Sequence, residues 1–343
     1  MAVAKTLYGK KGEKDVFAFV IENKNGAKAQ IIELGATLDK FIFRGIDVLV
    51  GFDKIEDHIN FSDNQGVTVG QYANRICGGK FSIDGTEYNV TKNEKGITCL
   101  HGGDEYSKEV WHGEADGENA VKFTYFSPDG REGFPGNVEV KVVFTLTDGD
   151  ELKIDYEAVS DKKTVINLTN HAYFNLNGIE GGSILNHTLK INADRFTPID
   201  EVSIPTGELK AVKGTPFDFT EEKVIGRDIE EDCKQLKNGC GFDHNFCISG
   251  FDGTLKTAAV AKGEKSGITL TVLTDLPGIQ LYTGNFLNGT VTGKGGIPLT
   301  RRCGFCLETQ VYPDSPNHPE WTDCKCIYDA GETYKTTTVF AFN

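Results

Sequence analysis

The feature that most constrains this chain is a two-residue alternation of apolar and polar side chains. In "VEVKVVFTLTD" and "ELKIDYEAVS" every second position is apolar, the pattern of a strand with one face buried and one wet. Similar segments, rich in β-branched and aromatic residues, recur from "VFAFVIEN" and "AQIIELGATLDKFIF" to "TTTVFAF" at the end of the chain. Turn formers such as "ENKNG", "TDGDE", "GIEGG" and "GFDG" separate them. The expectation is an all-β fold, a large antiparallel β-sandwich of two twisted, packed sheets, one of them concave enough to carry a polar site. Only "EEKVIGRDIEEDCKQL" has helical spacing, with Ile225, Ile229, Cys233 and Leu236 on one side. No linker or repeat interrupts the cadence, so residues 1–343 are read as one domain.

Charge narrows the partners. Thirty-six Lys plus Arg against 50 Asp plus Glu give a net charge of -14 with no basic run, which argues against nucleic acid. No apolar stretch approaches the roughly 18 residues that span a bilayer, and "MAVAKTLYGKKGEKDVF" has no apolar leader core, so neither membrane insertion nor export is expected. Nine cysteines, an odd number spread over a long chain, suit reduced thiols in a cytoplasm. The N-x-S/T sequons at Asn60, Asn89, Asn167, Asn186 and Asn288 would matter only in a secretory pathway.

Polar residues at strand positions mark the candidate site. In "VINLTNHAYFNLNG" an extended backbone puts Thr169, His171, Tyr173 and Asn175 on one face, where ordinary solvent surface would favour lysine and glutamate. In "GFCLETQVYP" it puts Cys306, Glu308, Gln310 and Tyr312 together, and glutamate is uncommon inside strands. A carboxylate there is either a surface ion-pair partner or a base in a partly dry pocket. "GQYANRICGG" supplies Asn74 and Arg75, a pairing suited to gripping vicinal hydroxyls, although an edge arginine paired with an acid reads the same way. "CLHGG" sets His101 before two glycines, where the backbone could approach a ligand. In "GFDHNF" the side chains of Asp243 and His244 point opposite ways, so one site uses only one of them.

Other chemistries lack their signatures. There is no H-E-x-x-H and no paired-cysteine zinc pattern, so no metal is expected; Cys303 and Cys306 form a CxxC whose members diverge in a strand and read as packing thiols. No nucleophile elbow, P-loop or dinucleotide fingerprint is present. What remains is a base, one or two histidine acids, and a fence of hydrogen-bonding side chains. That inventory suits proton transfers on a neutral polyhydroxylated ligand, with no cofactor required. A neighbouring carboxylate, from Asp243 or from Glu308 itself, is expected to lift the His171 pKa toward working pH.

The segments "GQYANRI", "LHGG", "NLTNHAYFNLNG", "FDHNF", "PGIQLYTGNFL" and "FCLETQVYPDSPNHPEW", in that order, resemble those of the aldose 1-epimerases, the galactose mutarotases, from about residue 10 to residue 343. The resemblance implies a β-supersandwich that interconverts the α and β anomers of hexoses such as galactose and glucose. It implies Glu308 as general base and His171 as general acid, with Asn74, Arg75, His101, Tyr173, Asp243 and Gln280 binding a monosaccharide; a monomer or homodimer is expected, with nothing in the sequence to choose between them. Gln71, Ala172 and Val311 depart from the residues common in that family, and Ala172 and Val311 leave the sugar preference open. Two other readings stand beside it. A non-catalytic carbohydrate-binding protein would lean on exposed aromatic platforms, and the chain has only two tryptophans. A hexose-6-phosphate 1-epimerase would gather several cations, where only Arg75 can be named.

Overall fold

The computed structural model describes residues 3–61 and 63–343, so Ser62 of the Asn60 sequon lies outside it. Along Val138–Leu146 the alternation becomes burial: Val138, Val140, Val142, Phe144 and Leu146 face inward, and the residues between them are exposed or half-buried. The neighbouring Glu151–Ser160 repeats this with Leu152, Ile154, Tyr156 and Ala158. Both belong to a nine-stranded sheet. Its seam is the last strand, Thr333–Phe342, which runs between Glu151–Ser160 and Thr269–Thr274 and sets Phe340 opposite Leu152 on one side and Val272 on the other.

A five-stranded sheet from Ala4–Lys11 to Ile46–Asp47 covers the inner side. Phe41 stacks on Phe342 at 4.2 Å between ring centroids, and Phe174 meets Phe340 edge-on at 5.1 Å. Each such ring contributes roughly 1.5–3 kcal/mol through burial, which is what ties these sheets together.

A second five-stranded sheet carries the polar residues. It orders Lys210–Ala211, Ala193–Phe196, Asp243–Ile248, Gly278–Tyr282 and Cys306–Gln310, and the last three strands are buried on both faces. Phe246, Ile279, Leu281 and Leu307 enter the main core. His244 goes with them, its ring 4.5 Å from that of Phe217, while Asp243 turns the other way. On the opposite face the register builds cross-strand rows, Asp243–Tyr282–Cys306 and Asn245–Gln280–Glu308. Strand periodicity therefore puts a carboxylate pair on one buried sheet face.

The fold is antiparallel and β-rich, but three principal sheets replace the expected two. Residues 66–76 and 164–175 pair in nothing longer than two-residue ladders, such as Thr68–Val69 with Thr169–Asn170 and Leu49–Val50 with Tyr173–Phe174, and in single bridges such as Tyr72 with Asn167. Left-handed residues such as Asn74, at φ 65°, interrupt longer pairing. The expected helix over 221–236 is also replaced, by a short strand at Lys223–Val224, a 3-10 turn at Ile225–Arg227 and a helix at Lys234–Asn238. Asp228 accepts hydrogen bonds from both Lys223 and Arg227 and holds this segment as a turn, while Ile225, Ile229 and Leu236 still reach the core. All nine cysteines are free, and no helix among the described residues is long and apolar enough to cross a membrane.

Candidate active site

The polar face of the second five-stranded sheet floors a cleft of about 390 Å³, within the range of small-molecule sites. Glu308 and Asp243 rise from the floor, His171 and Tyr173 form one wall, and Asn74, Arg75 and His101 close another. Seven of the eight site residues expected from the sequence, all but Gln280, therefore converge on one space. Gln280 stands behind it, donating from Nε2 to Oδ1 of Asp243 at 2.7 Å and so orienting a lining carboxylate.

His171 sits in the two-residue gap between Thr169–Asn170 and Tyr173–Phe174, anchored by its own backbone: its N–H donates to Val67 and its carbonyl accepts from Gly66. Its ring stacks on Tyr173 at 5.1 Å and 21°, and the ring of His101 meets it edge-on at 5.1 Å. Tyr173 is fixed in turn by a 3.0 Å hydrogen bond to the Asp63 carbonyl. Asn175 does not join them, because its amide donates to the carbonyls of Gly182 and Cys303 and supports a turn. Nδ1 of His171 faces the Cys306 thiol at 3.5 Å, and Nε2 lies 3.6 Å from Oε2 of Glu308.

Glu308 is only 2% exposed, and its Oε2 has no hydrogen-bond partner within the chain. An orphaned buried acceptor is a place built for something else to donate to. Burial, followed by the nearby Asp243 charge, pushes the Glu308 carboxyl up to about 8 against a smaller opposing pull from Arg75. Burial pushes His171 down to about 4. The expectation that a carboxylate would raise His171 is thus reversed, since desolvation of the imidazolium outweighs the attraction of a partner that is itself held neutral. Between those values the pair holds one proton.

His101 occupies the first of three consecutive left-handed positions, with φ of 56° at His101, 71° at Gly102 and 88° at Gly103. The two glycines serve the protein rather than a ligand: a Cβ on Gly102 would lie 2.3 Å from the Gly70 carbonyl oxygen, and one on Gly103 would strike the Glu132 side chain. The turn lets Nδ1 of His101 accept the Asn74 backbone N–H at 3.1 Å. A neutral imidazole so engaged carries its proton on Nε2. Burial, then repulsion from His171 and Arg75, keeps it neutral.

That hydrogen bond bears on metal binding. Ligand atoms of His101, His171 and Glu308 lie within 4.8 Å of one another, so these three are the set a divalent cation would use. A metal-ligating histidine, however, donates its outer ring N–H to an acceptor. His101 does the reverse, which makes it a hydrogen-bond donor and a poor ligand.

Arg75 is held by a residue that the sequence did not single out. Its Nε and Nη2 donate to the two carboxylate oxygens of Glu94 at 2.8 and 2.9 Å, while Nη1 comes within 4.0 Å of Asp243. Despite its burial, Glu94 is held below the usual carboxylate range by Arg75. Asp63, Asn64, Leu100, Tyr282, Phe286 and Asn288 complete the lining unforeseen. Tyr282 had a legible signal, since it shares a strand face with Gln280; Glu94 and Asp63 come from turns, where no periodicity points anywhere.

Comparison with known proteins places these features in context. The family model described as aldose 1-epimerase matches residues 18–341. A galactose mutarotase of Bos taurus is 43% identical over 88% of this chain and 85% of its own. An aldose 1-epimerase of Haemophilus influenzae is 38% identical over 94% of each chain. Among solved structures, a galactose 1-epimerase from Lactobacillus acidophilus superposes with a TM-score of 0.88 at 30% identity, covering 99% of this chain and 98% of that one. An aldose epimerase homologue from C. elegans gives 0.86 at 29% identity, covering 95% and 98%.

Proposed function

The chain belongs to the aldose 1-epimerase family, and on that premise we propose that it interconverts the α and β anomers of neutral hexoses such as galactose and glucose, with Glu308 and His171 moving the protons. The observation that carries this reading is the 3.6 Å separation of Nε2 of His171 and Oε2 of Glu308 on the floor of the cleft. The anomeric hydroxyl and the ring oxygen of a hexose are bonded to the same carbon. Two groups that serve them must therefore stand side by side, and these do.

The reaction starts with the shared proton on His171. The Glu308 carboxylate takes the proton of the C1 hydroxyl while Nε2–H of His171 protonates the ring oxygen, and the bond from C1 to that oxygen breaks. The pair is then a carboxylic acid beside a neutral imidazole, the arrangement that burial favours. After rotation about the bond from C1 to C2, His171 removes the proton of the attacking C5 hydroxyl. Glu308 returns its proton to the carbonyl oxygen, and the opposite anomer closes. Each transfer contributes on the order of 10² to 10⁴ in rate. Orientation comes from Asn74, Arg75, Asp243 and the Nε2–H of His101. We read residues 1–343 as one catalytic domain, since strands from both halves of the chain flank the seam strand Thr333–Phe342.

A hexose phosphate suits this cleft poorly, because its one guanidinium is already held bidentate by Glu94. A purely binding role would also let a ligand hydroxyl donate to the orphaned Glu308 oxygen, but it would leave the rate of anomer exchange at that of buffer. Polarimetry of freshly dissolved α-galactose tests the reading: optical rotation should relax much faster than in buffer, and a rate equal to buffer would contradict it.

A further inference from the structure

The charges that line the cleft do not cancel. Asp63, Glu94 and Asp243 bring three carboxylates and Arg75 one guanidinium, while Glu308 and His171, with one proton between them, add no net charge. Glu94 takes that guanidinium in two short hydrogen bonds, leaving Asp243 only the 4.0 Å approach of Nη1. His101 and His171 are neutral near pH 7, so neither supplies a balancing charge. Asp63 and Glu308 face the space with no basic side chain in hydrogen-bond contact among the described residues, and the unpartnered Oε2 of Glu308 points the same way.

The layout assigns a place for a cation. Across the polar face the order is His171, then Glu308 on the strand Cys306–Gln310, then Gln280 opposite it, then Asp243, which accepts from Gln280. With the C1 hydroxyl on Glu308 and the ring oxygen on His171, C2 is the ring atom on the far side of C1. A substituent on C2 would then lie on the side of the cleft that Asp243 lines. We propose that the cleft also takes 2-amino-2-deoxyhexoses in their ammonium form as substrates, with the 2-ammonium group facing Asp243, a proposal that rests on the anomer-exchange reading above.

Two effects favour such a substrate. Burial raises the Asp243 carboxyl, and Arg75 and Gln280 only partly offset this, so a cation at Asp243 relieves the cost of a buried charge. The same cation lies beside Glu308 and favours its carboxylate, the form in which it acts as a base. The opposing charge is Arg75, and Glu94 neutralises it at contact distance.

Polarimetry on the intact protein tests this with galactosamine hydrochloride, galactose and 2-deoxygalactose, the last lacking the 2-hydroxyl without adding charge. At pH 6 and low salt, kcat/KM for galactosamine should exceed that for 2-deoxygalactose. The ratio should fall about tenfold by pH 9, because an amine of this kind loses its proton near pH 8, while limbs belonging to the enzyme cancel between substrates. In Asp243→Asn the ratio at pH 6 should drop about tenfold even if all rates decline. A ratio that stays flat with pH, or galactosamine turned over more slowly than 2-deoxygalactose at pH 6, overturns the proposal. Galactose in the same buffers tests the anomer-exchange reading separately.

Discussion

His101 and Asn74 hold each other through a reciprocal pair of hydrogen bonds: the His101 N–H donates to the Asn74 carbonyl at 2.8 Å, and the Asn74 N–H donates to Nδ1 of His101 at 3.1 Å. Both residues have left-handed backbones, at φ 56° and 65°. Such strain persists only where surrounding contacts over-determine it, and here it fixes which ring nitrogen of His101 faces the cleft.

Gly102 makes that geometry attainable. Gly102→Ala would set a Cβ 2.3 Å from the Gly70 carbonyl oxygen and 2.4 Å from the Gln71 nitrogen, at a φ of 71°. Urea unfolding should show a loss of about 2–4 kcal/mol together with a raised KM. Gly12→Ala, also left-handed but with nothing within 4 Å, should cost only about 1 kcal/mol. Equal losses would mean that the close approach at Gly102 is unimportant.

The pH dependence of kcat/KM follows from the proton that Glu308 and His171 share. Below about 4 His171 becomes protonated beside an already protonated Glu308, so no base is left. Above about 8 the pair loses its last proton, so no acid is left. The profile should be a broad bell with limbs near these values, which belong to the pair jointly. A single limb near the ordinary glutamate value, with a plateau extending past pH 9, would contradict the arrangement.

Glu94 should govern substrate affinity. Glu94→Gln replaces a bidentate charge-assisted pair with a neutral contact and frees the Arg75 guanidinium. The expected result is a KM for galactose raised about tenfold with kcat changed far less, because no reacting atom is touched. An unchanged KM would show that Arg75 is positioned without its partner.

Packing of the seam can be tested away from the cleft. Phe174 is buried against Phe305, Phe340 and Phe342, and Phe174→Ala should cost about 3–5 kcal/mol. Phe126, 55% exposed on the nine-stranded sheet, should cost within about 0.5 kcal/mol on the same change. Comparable values would place the core elsewhere.

Much of this structure could be read from side-chain alternation. Val138–Leu146 and Glu151–Ser160 announce their buried faces residue by residue, and the same period puts Glu308 and Asp243 on the polar side of their strands. The helical spacing of Ile225, Ile229 and Leu236 misled because apolar residues on successive turns of irregular chain also reach a core; side-chain bonds to Asp228 decide the local shape. Glu94 was invisible because its partner lies 19 residues away and its own turn has no period. The protonation of Glu308 and His171 could not be read either. It depends on how completely the pair is buried, which is a property of packing rather than of the two residues.

The most direct test is a double-substitution cycle in the anomerisation assay, using Glu308→Gln, His171→Asn and the combined variant, with galactose affinity measured in parallel. If the two groups pass protons as one unit, each single change should lower kcat by roughly 10² to 10⁴ with binding largely kept, and the double variant should be little slower than the worse single. Near-native rates in either single variant, or losses that simply multiply in the double, would contradict the shared-proton pair.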